Sequence, residues 1–109
     1  MNAFDLHIAY VSWGSDGKRR PILIHSQAGD IVSVYAITSQ YSGKSESVRR
    51  HYYAIEDWAA SGLAKSSYID VGSIYEISTE YIGTSPIGAL SGRDKTQLSQ
   101  FIANLEESI

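Results

Sequence analysis

Lys18-Arg19-Arg20-Pro21-Ile22-Leu23-Ile24 joins three cations to an apolar run through a single proline. The apolar triplet has the character of a buried strand. Pro21 fixes its own φ at the mouth of that strand. That places Arg20 as a charge held by fixed backbone at the opening of a strand, with a planar guanidinium able to make two parallel hydrogen bonds.

Outward from this junction the chain reads as strand, turn, strand. Leu6 to Val11, Pro21 to His25 and Ile31 to Thr38 are short runs rich in apolar, β-branched and aromatic residues. Gly14-Ser15-Asp16-Gly17 and Ala28-Gly29-Asp30 supply the turns between them. Two further strands are predicted over Ser67 to Val71 and Ser73 to Ser78, broken at Gly72, and Gln40 to Ser47 reads as a polar loop. A short middle helix is predicted around Ile55 to Ala60, stopped by Gly62. The clearest helix is C-terminal: Ser91 and Asp94 form a capping pattern. Leu98, Phe101, Ile102, Leu105 and Ile109 then recur on one face, as a core-packing stripe does. Short strands, glycine turns and a closing helix argue a mainly β small barrel or sandwich.

The chain of 109 residues fits one domain, and at this size roughly two-thirds of the unfolded surface can be buried. An apolar fraction of 43% with 19% charged residues is that of an ordinary globule rather than a disordered tail. With no cysteine, neither a disulfide framework nor a thiolate metal site can form, which is compatible with a reducing cytoplasm. Asp5 and His7 interrupt the early apolar run, so no signal peptide or membrane span is expected. Paired carboxylates, a P-loop, a dinucleotide fingerprint and metal-spaced histidines are all missing from the sequence.

Net charge is −3, yet its distribution is uneven. Residues 17–55 carry a balance of +4 through Lys18, Arg19, Arg20, Lys44, Arg49 and Arg50, whereas the remainder carries −7. A basic zone on an acidic protein can still attract a polyanion, because charges more than about 8 Å away are screened. On charge alone, a polyanion site and a pair of solvated basic loops stand equally open.

Three landmarks recur in a definite order: Arg20-Pro21 before a strand, Thr38-Ser39 closing the next strand, and Leu63-Ala64-Lys65-Ser66-Ser67-Tyr68-Ile69 further on. Together they resemble the PemK/MazF family, the toxins of type II toxin–antitoxin pairs, from about Tyr10 to Leu105. Tyr53-Ala54-Ile55-Glu56-Asp57-Trp58 with Gly62-Leu63, and Ile87-Gly88-Ala89-Leu90-Ser91, are similar to later segments of that family. At the N-terminus Asp5-Leu6-His7-Ile8 replaces the family's Gly-Asp-Ile start. The resemblance implies an SH3-like β-barrel in a single domain, cytoplasmic and homodimeric. It implies a metal-independent endoribonuclease that needs no cofactor, cleaves single-stranded RNA sequence-selectively and is neutralised by a cognate antitoxin. The alternative within the same superfamily is a non-catalytic barrel that binds a protein target, as gyrase inhibitors do, or only its antitoxin.

The resemblance assigns catalysis to Arg20 and Thr38. Taken alone, Arg20 fits a surface salt bridge at a strand start better than catalysis. Lys18, Arg19, Ser39, Arg49, Arg50, His51, Lys65 and Ser67 are the supporting or RNA-binding candidates. Arginine stays protonated at ordinary pH, which suits a phosphate clamp better than a base. Among the three histidines, His7 and His25 lie in strand-like runs and His51 follows the Arg49-Arg50 pair, making it the better proton shuttle. Tyr41, Tyr52, Tyr53 and Trp13 are candidate stacking surfaces for unpaired bases.

Overall fold

The computed structural model describes residues 1–13 and 16–107 and the side chains outside 11–17. The Gly14-Ser15 turn, the Trp13 ring and Ile109 therefore lie outside the described residues. Strands β1 (Asp5–Trp13), β2 (Asp16–Ala28) and β3 (Ile31–Thr38) form an antiparallel meander. A one-turn helix α1 (Glu46–Arg49) and a short strand β4 (Tyr52–Ala54) follow, then the long strand β5 (Tyr68–Ser78). A 3-10 turn over Thr79–Tyr81, a two-residue strand β6 (Gly88–Ala89) and helix α2 (Gly92–Glu107) complete the fold. The six strands make one sheet in the order β4-β5-β3-β2-β1-β6.

The expected class is present: mainly antiparallel β with a short helix and a C-terminal one. The ladder does not close into a hydrogen-bonded barrel, since β4 and β6 remain its edges. What curls the sheet is irregular pairing. Tyr35 opposes Ile74 while its neighbour Ala36 opposes Asp70, so Val71, Gly72 and Ser73 bulge from β5. The break expected at Gly72 is thus a bulge in one continuous strand. β3 also switches its buried face here, from Val32 and Val34 to Tyr35 and Ile37.

That switch gives two cores on opposite faces. Leu6, Leu23, Tyr35, Ile37, Tyr53, Ile69 and Leu98 fill the one beneath α2. Ala9, Ile22, Ile24, Val32, Val34 and Ile82 fill the other, inside the curl. The α2 stripe is confirmed for Leu98, Phe101 and Ile102, which pack on the first core.

The middle helix stands elsewhere than expected. Residues 56–62 form hydrogen-bonded turns, with Ser61 N donating to Asp57 O and Gly62 ending the segment at φ +95°. The α-helical turn falls at Glu46–Arg49, beginning in the last two residues of the stretch expected to be loop. The Ser91 hydroxyl caps α2 by accepting from Asp94 N at 3.1 Å. The Asp94 carboxylate, fully buried, does not complete the capping box. It accepts from Tyr53 Oη (2.6 Å), Glu56 N (2.9 Å) and Asp57 N (2.9 Å) and so bolts the 56–62 turns to the helix start.

Candidate active site

Chain direction alone brings the first two landmarks together. β2 and β3 are antiparallel, and Ile22 opposes Ala36 at the last paired position. The same register carried two residues on sets Arg20, at the start of β2's apolar run, opposite Thr38, at the end of β3. Residues two apart on a strand share a face, so both side chains emerge on one side. Tyr68 opposes Thr38 from the other flank, which carries the third landmark, Lys65 to Tyr68, to the same place.

The result is a cavity of about 490 Å³. Lys18, Arg19, Arg20 and Pro21 form one wall; Thr38, Ser39 and Gln40 form a second; Gly62 to Lys65 with Ser67 form the third. Ile8, Ile37 and Ile87 supply apolar flooring. Four cations face it and, among the described lining residues, no carboxylate or imidazole does. Such a site favours a polyanion, and any proton acceptor must come from the ligand, water or a side chain outside the lining.

Local bonds set the hydroxyls. Thr38 Oγ1 accepts from Gln40 N at 3.1 Å, which leaves its own proton free to donate outward. Ser67 is buried and donates to Lys65 O at 2.9 Å, so its hydroxyl shapes the turn that presents Lys65. The third wall depends on two glycines. A Cβ on Gly62 would collide with the Ile87 carbonyl, and one on Gly88 with the Ser61 carbonyl. Only bare backbone allows the two loops to approach this closely. Nothing in the residue order hints at that approach, because each glycine looks like an ordinary turn residue until its neighbour is known.

Of the residues singled out in the sequence, Arg20, Thr38, Lys18, Arg19, Ser39, Lys65 and Ser67 line the cavity. Arg49, Arg50 and His51 do not. They sit on α1 and at its end, where His51 Nδ1 lies 3.2 Å from Ser47 O. His7 is buried with Nδ1 donating to Gly83 O at 2.7 Å, and the His25 ring meets Tyr35 edge-on at 5.5 Å. His7 is a packing histidine, whereas His25 is an exposed one. Tyr53 is no stacking surface either: it is buried in the core, and desolvation followed by the Asp94 hydrogen bond holds its hydroxyl above the usual tyrosine range. Ile8, Gln40 and Ile87 line the cavity without having been anticipated, since apolar and amide side chains carry no chemical signature.

No protein-family model and no curated relative matches the sequence. Comparison with solved structures finds the toxin MazF-mt6 of Mycobacterium tuberculosis at a TM-score of 0.71 and 23% identity, covering 94% of this chain and 96% of that one. The chain has a MazF fold. Coverage of nearly both whole chains means that the MazF fold accounts for the curled sheet and its C-terminal helix together, not for a shared hairpin. Within that fold, the cavity opens where the meander strands β2 and β3 meet the loop before β5.

Proposed function

We propose that this protein is the toxin of a type II toxin–antitoxin pair and cleaves single-stranded RNA without a metal ion. The single observation that carries this is the meeting of Arg20, Thr38 and Lys65, distant in sequence, around one cation-lined cavity. The toxin named by the structural comparison supports the same reading.

The chemistry follows from the residues present. The RNA 2′-oxygen attacks the adjacent phosphorus, the P–O5′ bond breaks, and a 2′,3′-cyclic phosphate and a free 5′-hydroxyl result. One proton leaves the 2′-oxygen and one arrives at the 5′-oxygen. Arg20 clamps two phosphate oxygens through parallel charge-assisted hydrogen bonds. The Thr38 hydroxyl donates a third bond as charge develops. Lys18, Arg19 and Lys65 hold the flanking backbone. Function as a homodimer under control of an antitoxin belongs to the same proposal.

The test is incubation of purified protein with single-stranded RNA in excess EDTA, with chemical analysis of the new ends. Cyclic phosphate and 5′-hydroxyl termini are expected. Intact RNA would refute the nuclease reading and favour the non-catalytic barrel.

A further inference from the structure

Beside the cavity, three tyrosines from three segments gather on one surface. Tyr41 stacks on Tyr68 with ring centres 4.6 Å apart and planes 18° from parallel. Tyr52 leans against both at 6.3 Å. The Arg49 guanidinium lies over the Tyr41 ring, 5.3 Å from its centre. Tyr41 keeps 37% of its surface exposed.

We infer that this cluster is a stacking platform for an unpaired nucleobase of the RNA whose phosphate occupies the neighbouring cavity; the inference rests on the nuclease reading above. Position is the first argument. Tyr68 is the direct cross-strand partner of Thr38, and directly opposed residues have Cβ atoms about 4.5–5.5 Å apart on one face. Tyr41 follows Ser39 and Gln40, which line the cavity, and those two also form one end of a shallow hollow continuing through Tyr41 to Lys44. A strand leaving the cavity along this hollow meets the tyrosines next.

Chemistry is the second argument. An aromatic core alone would be buried, whereas this cluster ends on an exposed ring with a cation across it. Arg49 lies over the Tyr41 ring and Lys44 lines the same hollow, its N–H donating to Tyr41 O at 3.1 Å, so the rim suits a phosphate backbone while the rings suit a base. Arg49 has a long side chain that can leave the ring for a phosphate as the base takes its place. Stacking requires a base free of its duplex neighbours, so the platform selects single strands and tolerates several base identities.

The experiment compares wild type, Tyr41→Ala and Tyr41→Phe on single-stranded RNA carrying 2-aminopurine at successive positions around the cut. Tyr41 lies outside both cores, so its truncation leaves the fold intact, which a thermal melt verifies. Wild type and Tyr41→Phe should quench 2-aminopurine at one position beside the scissile phosphate. Tyr41→Ala should lose that quenching and raise KM on the order of 10-fold, with kcat little changed. Cleavage by Tyr41→Ala with wild-type KM and undiminished quenching would overturn the platform while leaving the nuclease standing. Absence of any RNA binding or cleavage by wild type would overturn both.

Discussion

At the residue scale, the polar groups that line the cavity are separable by what each can donate. Thr38→Val keeps the side-chain shape and removes one hydroxyl donor, while the neighbouring strand pairing with Tyr68 is untouched. A loss of about 10²-fold in kcat is expected, as for other single donors that meet developing charge, with KM nearly constant; a rate near wild type would show that Thr38 serves only the turn at Gln40. The histidines should matter little, because none lines the cavity. That Arg20 and Thr38 stand out as candidates was legible in residue type, an arginine before proline and a hydroxyl at a strand end, and both line the cavity. For His51, the sequence shows its basic neighbours but not that all three, on α1 and just after it, stand outside the cavity lining.

At the element scale, helix α2 is fastened by one buried carboxylate. Asp94→Ala would remove the acceptor of two part-buried backbone N–H groups and the shorter of the Tyr53 hydroxyl's two bonds, leaving it Gln97 Oε1 at 3.1 Å. Losing these partners should cost on the order of 3 kcal/mol, measured by denaturant unfolding. The same bond has a pH signature. The Tyr53 hydroxyl titrates higher folded than unfolded, so its contribution is complete below the unfolded value of about 10 and fades as pH rises beyond it. Tyr53→Phe should flatten that alkaline decline; an unchanged decline would place the titration elsewhere.

α1 carries a second prediction. Neutralising Arg49 and Arg50 together should reduce the salt dependence of single-strand binding by about 0.7 in slope for each phosphate no longer neutralised. An unaltered slope would route the RNA away from α1. Of these elements, α2 was plain from its apolar period and its Ser91 cap. α1 was hidden because one helical turn carries no periodicity. The turns of 56–62 stand where a helix was expected, tied to α2 by Asp94, remote in sequence, which accepts from the N–H groups of Glu56 and Asp57.

At the scale of the whole molecule, the −3 net charge conceals the arrangement that matters. Four of the nine Lys and Arg residues line one cavity that no described carboxylate lines. An antitoxin segment bearing acids near Lys18, Arg19 and Arg20 would meet the same cations as the RNA backbone. Its apolar residues must supply most of the affinity, since exposed ion pairs contribute only about 0–1 kcal/mol each. Antitoxin and RNA should therefore exclude one another in a competition titration with labelled, non-cleavable RNA. Simultaneous binding at full affinity would point to inhibition at a distance.

Mainly β architecture and its terminal helix could be read from strand-length runs and turn residues, whereas the gathering of the three landmarks was implied only by the family resemblance. The open ladder and the β5 bulge could not be read, because they follow from how Tyr35 and Ala36 pair with a strand more than thirty residues away. The most direct measurement is the single-turnover cleavage rate of Arg20→Ala on single-stranded RNA in EDTA, beside its thermal melt. A fall of about 10³-fold or more with unchanged melting is predicted for a phosphate-clamping arginine. Cleavage near the wild-type rate by a folded Arg20→Ala protein would contradict the assignment.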